Sequence, residues 1–196
     1  MSHISKSPWI IHYDASSCNG CDIEVLAALT PLYDAERFGV VNTGNPKHAD
    51  IFLVTGSVNE RNIDVVKEIY DQMVEPKVVV ACGICACSGG IFHDCYNVIG
   101  GVDKAIPVDV YAPGCAVRPE AIIDAVVEGV AVLEEKAKKI KEQKANKEKQ
   151  KATERQHSKK ANQTKEKPIM SKKISAAIWI VIAAAFIALI CFLGFR

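Results

Sequence analysis

Ile51-Phe52-Leu53-Val54-Thr55 and Val78-Val79-Val80-Ala81 are short, almost unbroken apolar runs rich in β-branched residues, the pattern of strands buried within a sheet. Three more runs read the same way: Trp9 to Tyr13, Gly39 to Val41 and Val108 to Tyr111. Between them lie stretches of helical spacing, Ile23 to Leu29, Ile63 to Met73 and Pro119 to about Ile140. The last opens on a proline, whose missing N–H costs nothing at a helix start.

This alternation predicts an α/β fold of three layers, a flavodoxin-like open parallel sheet with helices on both faces. In such sheets, sites gather outside the carboxyl ends of the strands.

The pattern stops near residue 133. Between residues 134 and 173 there are fifteen Lys or Arg against six Glu, a net of +9, with no regular apolar stripe beyond Ile140, as expected of a helical or flexible tether. From Ala176 to Phe195 there follow twenty residues without a charge, which at about 1.5 Å rise per residue span roughly 30 Å, the thickness of a bilayer's hydrocarbon core. The expected organisation is therefore an α/β domain over 1–133, a basic tether over 134–173 and one transmembrane helix over 174–196. Lys165, Lys167, Lys172 and Lys173 flank the span and place the folded part on the cytoplasmic side of the cell membrane. The opening MSHISKSPWIIHYD has no long apolar run with a small-residue cleavage site, so the single span is expected to act as a tail anchor.

The whole chain carries a net charge of only +1, which hides an asymmetry. Residues 1–133 hold eight basic and seventeen acidic side chains, a net of −9. The basic stretch lacks interleaved aromatics and abuts the apolar run, so membrane lipid headgroups are the expected partner and nucleic acid is not. A solvated linker explains the charge run equally well.

Cysteine supplies the chemistry. Cys18 and Cys21 follow the first strand in Ser17-Cys18-Asn19-Gly20-Cys21, Cys85 follows the fourth expected strand, and Cys115 follows the fifth in Ala112-Pro113-Gly114-Cys115. Four thiolates converging on one sheet edge are what a single 4Fe-4S cluster requires, and Gly20, Gly83 and Gly114 suit tight turns around it. Three other chemistries remain open on spacing alone. Disulfides are disfavoured in a reducing cytoplasm. Structural zinc accepts four thiolates but usually draws two close pairs, where this chain has one. A thioredoxin-like dithiol at Cys18 and Cys21 leaves Cys85 and Cys115 unexplained.

Ser17-Cys18-Asn19-Gly20-Cys21-Asp22-Ile23-Glu24 resembles the signature of the small subunit of energy-converting, membrane-bound (group 4) nickel-iron hydrogenases. Gly83-Ile84-Cys85-Ala86-Cys87-Ser88-Gly89-Gly90, Gly100-Gly101-Val102-Asp103, Pro107-Val108-Asp109-Val110-Tyr111 and the run from Pro113-Gly114-Cys115 through Arg118-Pro119-Glu120-Ala121 resemble the same subunit and the related B-type (20 kDa) subunit of complex I. The likeness covers residues 8 to about 130. The complex I branch carries adjacent cysteines in the first motif, whereas here two residues separate the pair, as in the hydrogenase branch.

That resemblance implies that Cys18, Cys21, Cys85 and Cys115 ligate the 4Fe-4S cluster proximal to a nickel-iron site in a separate large subunit. It further implies a ferredoxin-like iron-sulfur subunit as electron source, and antiporter-like membrane subunits that couple proton reduction to ion movement. Glu24, three residues after Cys21, is a candidate for proton handling; its plain alternative is a first-turn helix carboxylate. Arg118 matches an arginine of the family's Pro-Gly-Cys segment and is expected near the cluster, with a surface ion pair as alternative. His93 is read as structural, Cys82, Cys87 and Cys95 as unligated thiols, and Cys191 as a packing residue of the span. Val54-Thr55-Gly56-Ser57 follows a strand but lacks both a Walker lysine and a dinucleotide glycine pattern. Two rival functions are a B-type subunit of a related quinone- or sulfur-reducing complex, and a zinc-stabilised membrane adaptor.

Overall fold

The computed structural model describes residues 7–193, with side chains described for 7–151, 178–185 and 187. The chain divides into two units, Met1–Lys141 and Glu142–Arg196.

The first unit is built on a five-stranded parallel sheet. Its strands are β1 (Trp9–Ser16), β2 (Val41–Asn42), β3 (Ile51–Gly56), β5 (Val78–Cys82) and β7 (Val110–Ala112), in the order β2-β1-β3-β5-β7. Counting these five alone, the order is 2-1-3-4-5, the flavodoxin-like doubly wound arrangement. A separate antiparallel pair joins β4 (Val58–Asn59) to β6 (Val98–Gly100).

Each central strand alternates between two cores. Ile51 and Leu53 of β3 and Val78, Val80 and Cys82 of β5 face one layer with Val25, Ile122, Val126 and Leu133 from helices α1 (Gly20–Ala28) and α4 (Pro119–Leu193). Phe52, Val54, Val79 and Ala81 face the other, with Val66 of α2 (Ile63–Gln72) and Ala86 of α3 (Ile84–Ser88). All six residues of β3 are buried, which is why its run is apolar throughout rather than alternating.

The edge strand β2 is only two residues and begins at Val41 rather than Gly39. Gly39 instead closes a preceding helical turn in a left-handed conformation, φ 84°, so it has left the strand region. Helix α1 begins at Gly20, three residues before its apolar pattern starts, with Asn19 left-handed ahead of it. Helix α4 continues past Ile140 to Leu193, so the basic stretch is helical where its backbone is described.

Among the described residues no helix is long and apolar enough to cross a membrane. The expected span Ala176–Phe195 lies largely outside the residues with described side chains, and Cys191 falls wholly outside them. Those that are described, from Ile178 to Ala185, are exposed.

Candidate metal centre

Three strand ends deliver the four cysteines. β1 ends at Ser16 two residues before Cys18, β5 at Cys82 three before Cys85, and β7 at Ala112 three before Cys115. The loops are fastened by backbone bonds: the Gly83 N–H donates to the Ala112 carbonyl at 2.8 Å, and the Ile84 N–H to the Gly114 carbonyl at 2.9 Å. A third tie joins the ends of β1 and β3, where the Ser16 hydroxyl donates to the Ser57 carbonyl at 2.6 Å.

The four thiols lie within electrostatic reach of one another. Burial raises the pKa of Cys85, and the charges of Cys115, Cys21 and Cys18 raise it further. Burial likewise pushes Cys21 up, followed by Cys18, Asp22 and Cys115, while a hydrogen bond from the Val117 backbone N–H pulls it down. Every charge acting on these two thiols is negative. Cys18 and Cys115 are exposed, Cys21 and Cys85 half-buried.

The packing allows no intruding atom. Gly83 sits at φ +89°, and a Cβ there would stand 2.5 Å from the Cys21 sulfur. A Cβ on Gly114 would stand 2.6 Å from the Val117 Cα, in the turn that brings the Val117 N–H to that sulfur.

Glu24 is half-buried on α1, and Arg118 is exposed just before α4. Neither is among the charges acting on Cys21 or Cys85, and among the described contacts Arg118 has no ion-pair partner. His93 is turned to its own loop: Nδ1 lies 2.9 Å from the Gly90 carbonyl and Nε2 3.0 Å from Asp94.

Cys82 and Cys87 also stand beside the site. Burial and then the Cys21 charge raise both, Cys87 to about 11. Both are held as neutral thiols at ordinary pH, and Cys87 lies 3.5 Å from the Ala81 carbonyl. Cys95 is exposed and, with Cys18, Ser16, Ser17, Ser57, Phe92 and Val98, lines an open groove of about 230 Å³.

Sequence reasoning passed over Asp22. Its buried carboxylate receives the hydroxyls of Ser17 and Thr55 and stands 2.9 Å from His12 Nε2. Thr55, a polar residue closing an apolar run, marks the place, but its meeting with His12 and Asp22 depends on strand register and leaves no local signal.

The negative surroundings of Cys21 and Cys85 suit a cationic metal group. Burial, and then the negative charges nearby, disfavours the thiolates of Cys21 and Cys85, a cost that bound iron or zinc would remove. Among the described residues, no three His, Cys, Asp or Glu side chains converge closely enough to hold one metal ion. A 4Fe-4S cluster asks less convergence, since each cysteine binds a different iron.

Comparison with known proteins fits this geometry. Residues 18–129 match the family described as NADH ubiquinone oxidoreductase, 20 kDa subunit. A probable membrane-bound hydrogenase subunit, mbhJ, of Pyrococcus furiosus is 51% identical over 138 residues, 70% of this chain and 81% of that protein. Formate hydrogenlyase subunit 7 of Escherichia coli is 43% identical over 136 residues, 69% of this chain and 53% of that protein. Among solved structures, a chain of the membrane-bound sulfane sulfur reductase, an archaeal respiratory membrane complex, superposes with a TM-score of 0.59 at 40% identity, covering 67% of this chain and 73% of that one.

Proposed function

The chain belongs to the 20 kDa subunit family of NADH ubiquinone oxidoreductase and is a subunit of an oxidoreductase complex, and from that premise we propose that it carries the 4Fe-4S cluster next to the nickel-iron site of a membrane-bound, energy-converting hydrogenase. The observation that supports this reading is that the loops after β1, β5 and β7 carry Cys18, Cys21, Cys85 and Cys115 to one sheet edge, where the charges of Cys18 and Cys115 act on Cys21 and those of Cys115, Cys21 and Cys18 on Cys85.

The four cysteines would hold the cluster, which when bound supplies a one-electron relay between a ferredoxin-like donor subunit and the hydrogenase large subunit. Such clusters range over about −700 to +450 mV, set by hydrogen bonds to sulfur, local charge and burial. This chain's own residues act on each of these. The Val117 N–H supports negative charge on the Cys21 sulfur. The Asp22 charge opposes it. Gly83 and Gly114 keep the turns tight enough for both. Glu24, one helical turn from Cys21, is assigned to proton handling at its carboxylate, and Arg118, three residues after Cys115, to a positive contribution at the partner-facing edge.

Membrane attachment is proposed through 174–196, with the α/β domain on the cytoplasmic side and antiporter-like subunits and lipid as neighbours. Ile178 to Ala185 are exposed and uncharged, and a run of this kind calls for an apolar environment.

Low-temperature electron paramagnetic resonance of the anaerobic, dithionite-reduced complex tests the cluster assignment. One 4Fe-4S signal of the wild type should vanish in Cys115→Ala; an unchanged spectrum with zinc in the protein would return the adaptor reading. A second reading, a sulfur-reducing complex, is favoured by the 40% identity to the sulfane sulfur reductase chain. Hydrogen evolution against polysulfide reduction by the purified complex separates the two.

A further inference from the structure

We infer that His12 is a positioning residue for the thiol site, acting through Asp22. The inference rests on the reading that the four cysteines hold an iron-sulfur cluster, and adds a residue from the floor of the sheet to what controls it.

His12 lies on β1, on the same face as Ile10, which packs in the core under α1. On the neighbouring β3, two residues beyond its register partner Leu53, stands Thr55, fully buried. Both meet Asp22, in the first turn of α1. Asp22 Oδ2 accepts the Ser17 hydroxyl, and Oδ1 accepts the Thr55 hydroxyl with His12 Nε2 at 2.9 Å. His12 Nε2 is also 3.2 Å from Thr55 Oγ1. Thr55 has one hydroxyl hydrogen and gives it to Asp22, so its oxygen faces Nε2 as an acceptor. Nε2 therefore carries a proton and donates toward both groups.

The side chains of His12 and Asp22 are only 16% and 13% exposed. A carboxylate removed from water needs donors in place of solvent, and here three converge from β1, β3 and the loop before α1. The arrangement has a mechanical consequence and an electrical one. Ser17 precedes Cys18 and Asp22 follows Cys21, so both flanks of the first cysteine pair are tied to the floor of the sheet. The Asp22 charge also acts on the Cys21 and Cys82 sulfurs, so any donor that draws density from this carboxylate changes the field at the site.

Removing the His12 donor should therefore make the site more negative and electron uptake harder. The test is a redox titration of the whole complex at one pH, followed by electron paramagnetic resonance, in wild type, His12→Phe, His12→Gln, Asp22→Asn and the double variant His12→Phe/Asp22→Asn. His12→Phe should lower the midpoint potential and shift the g-values of the cluster in this chain. His12→Gln, which keeps an N–H at the reach of Nε2, should return both toward wild type. Asp22→Asn should raise the potential, and His12→Phe should add nothing in that background.

A His12→Phe complex with full iron content and unchanged potential overturns the inference. So does a His12→Phe shift that persists with Asp22→Asn, because His12 would then act by another route. If His12→Phe does not assemble, isosteric Asp22→Asn carries the test alone, and an unchanged potential counts against the proposal. Absence of any iron-sulfur signal from this chain in the wild type refutes instead the underlying four-cysteine reading.

Discussion

One missing atom, a Cβ, decides much at Gly83. A side chain would need φ +89°, which L residues rarely adopt, and its Cβ would stand 2.5 Å from the Cys21 sulfur. The backbone cost is about 1–3 kcal/mol, and Cys21 must move besides. Gly83→Ala should therefore lower both the melting temperature and the iron and sulfide bound per chain. Gly44→Ala, whose Cβ would meet nothing within 4 Å, should change neither. Equal iron content in the two variants would mean that Cys21 is not a ligand held by this contact.

The surplus thiols give a second test at this scale. Cys82 is fully buried and its pKa is raised by burial and then by the Cys21 charge, while Cys95 is exposed. A raised pKa keeps the neutral thiol dominant at pH 8, and the thiolate is the reactive form. Brief iodoacetamide treatment of the native protein at pH 8, read by mass spectrometry, should label Cys95 and spare Cys82. Labelling of Cys82 at a comparable rate would show that strand β5 opens. The four cysteines of the candidate site were legible as types and spacings after strand ends. His12, Thr55 and Asp22 were not, because their meeting depends on the β1–β3 register, which pairs His12 with Leu53 and Asp14 with Thr55, and no local pattern records a register.

Elements were legible in proportion to how much of their stability is local. β3 and β5 declared themselves, being unbroken apolar runs buried on both faces. The two-residue β4, its short partner β6 and the five-residue α3 did not, since so few residues carry no period and their pairing is supplied by the fold around them. Helix α4 shows the tertiary contribution most directly. Lys136 Nζ lies 2.7 Å from Asp109 Oδ1 and donates to the Lys77 carbonyl at 2.9 Å, while Asp109 Oδ2 accepts the Val79 N–H at 3.0 Å. One ion pair thus ties α4 to the starts of β5 and β7. The Lys136 side chain is 35% exposed, so solvent screens part of its value and Lys136→Met should cost about 1 kcal/mol. The urea midpoint at low salt should fall, and the gap to wild type should narrow at high salt. Coincident midpoints at both ionic strengths would show that the contact contributes nothing.

For the whole molecule the informative quantity is the charge difference along the chain. The proposed attachment to a membrane would have two separable sources, the uncharged run from Ala176 to Phe195 and the lysines before it. Salt distinguishes them, because headgroup attraction is screened within about 8 Å at physiological ionic strength and burial of apolar surface is not. A chain ending at Lys141 retains the first compact unit and should keep the wild-type urea midpoint and iron content while washing off membranes. One ending at Lys173 retains all fourteen tether lysines and Arg155, and should bind vesicles containing phosphatidylserine at low salt and leave them at high salt. The full chain should resist salt and yield only to detergent. If the chain ending at Lys141 stays with salt-washed membranes as fully as the full chain does, partner subunits hold the domain there and 174–196 is not the anchor.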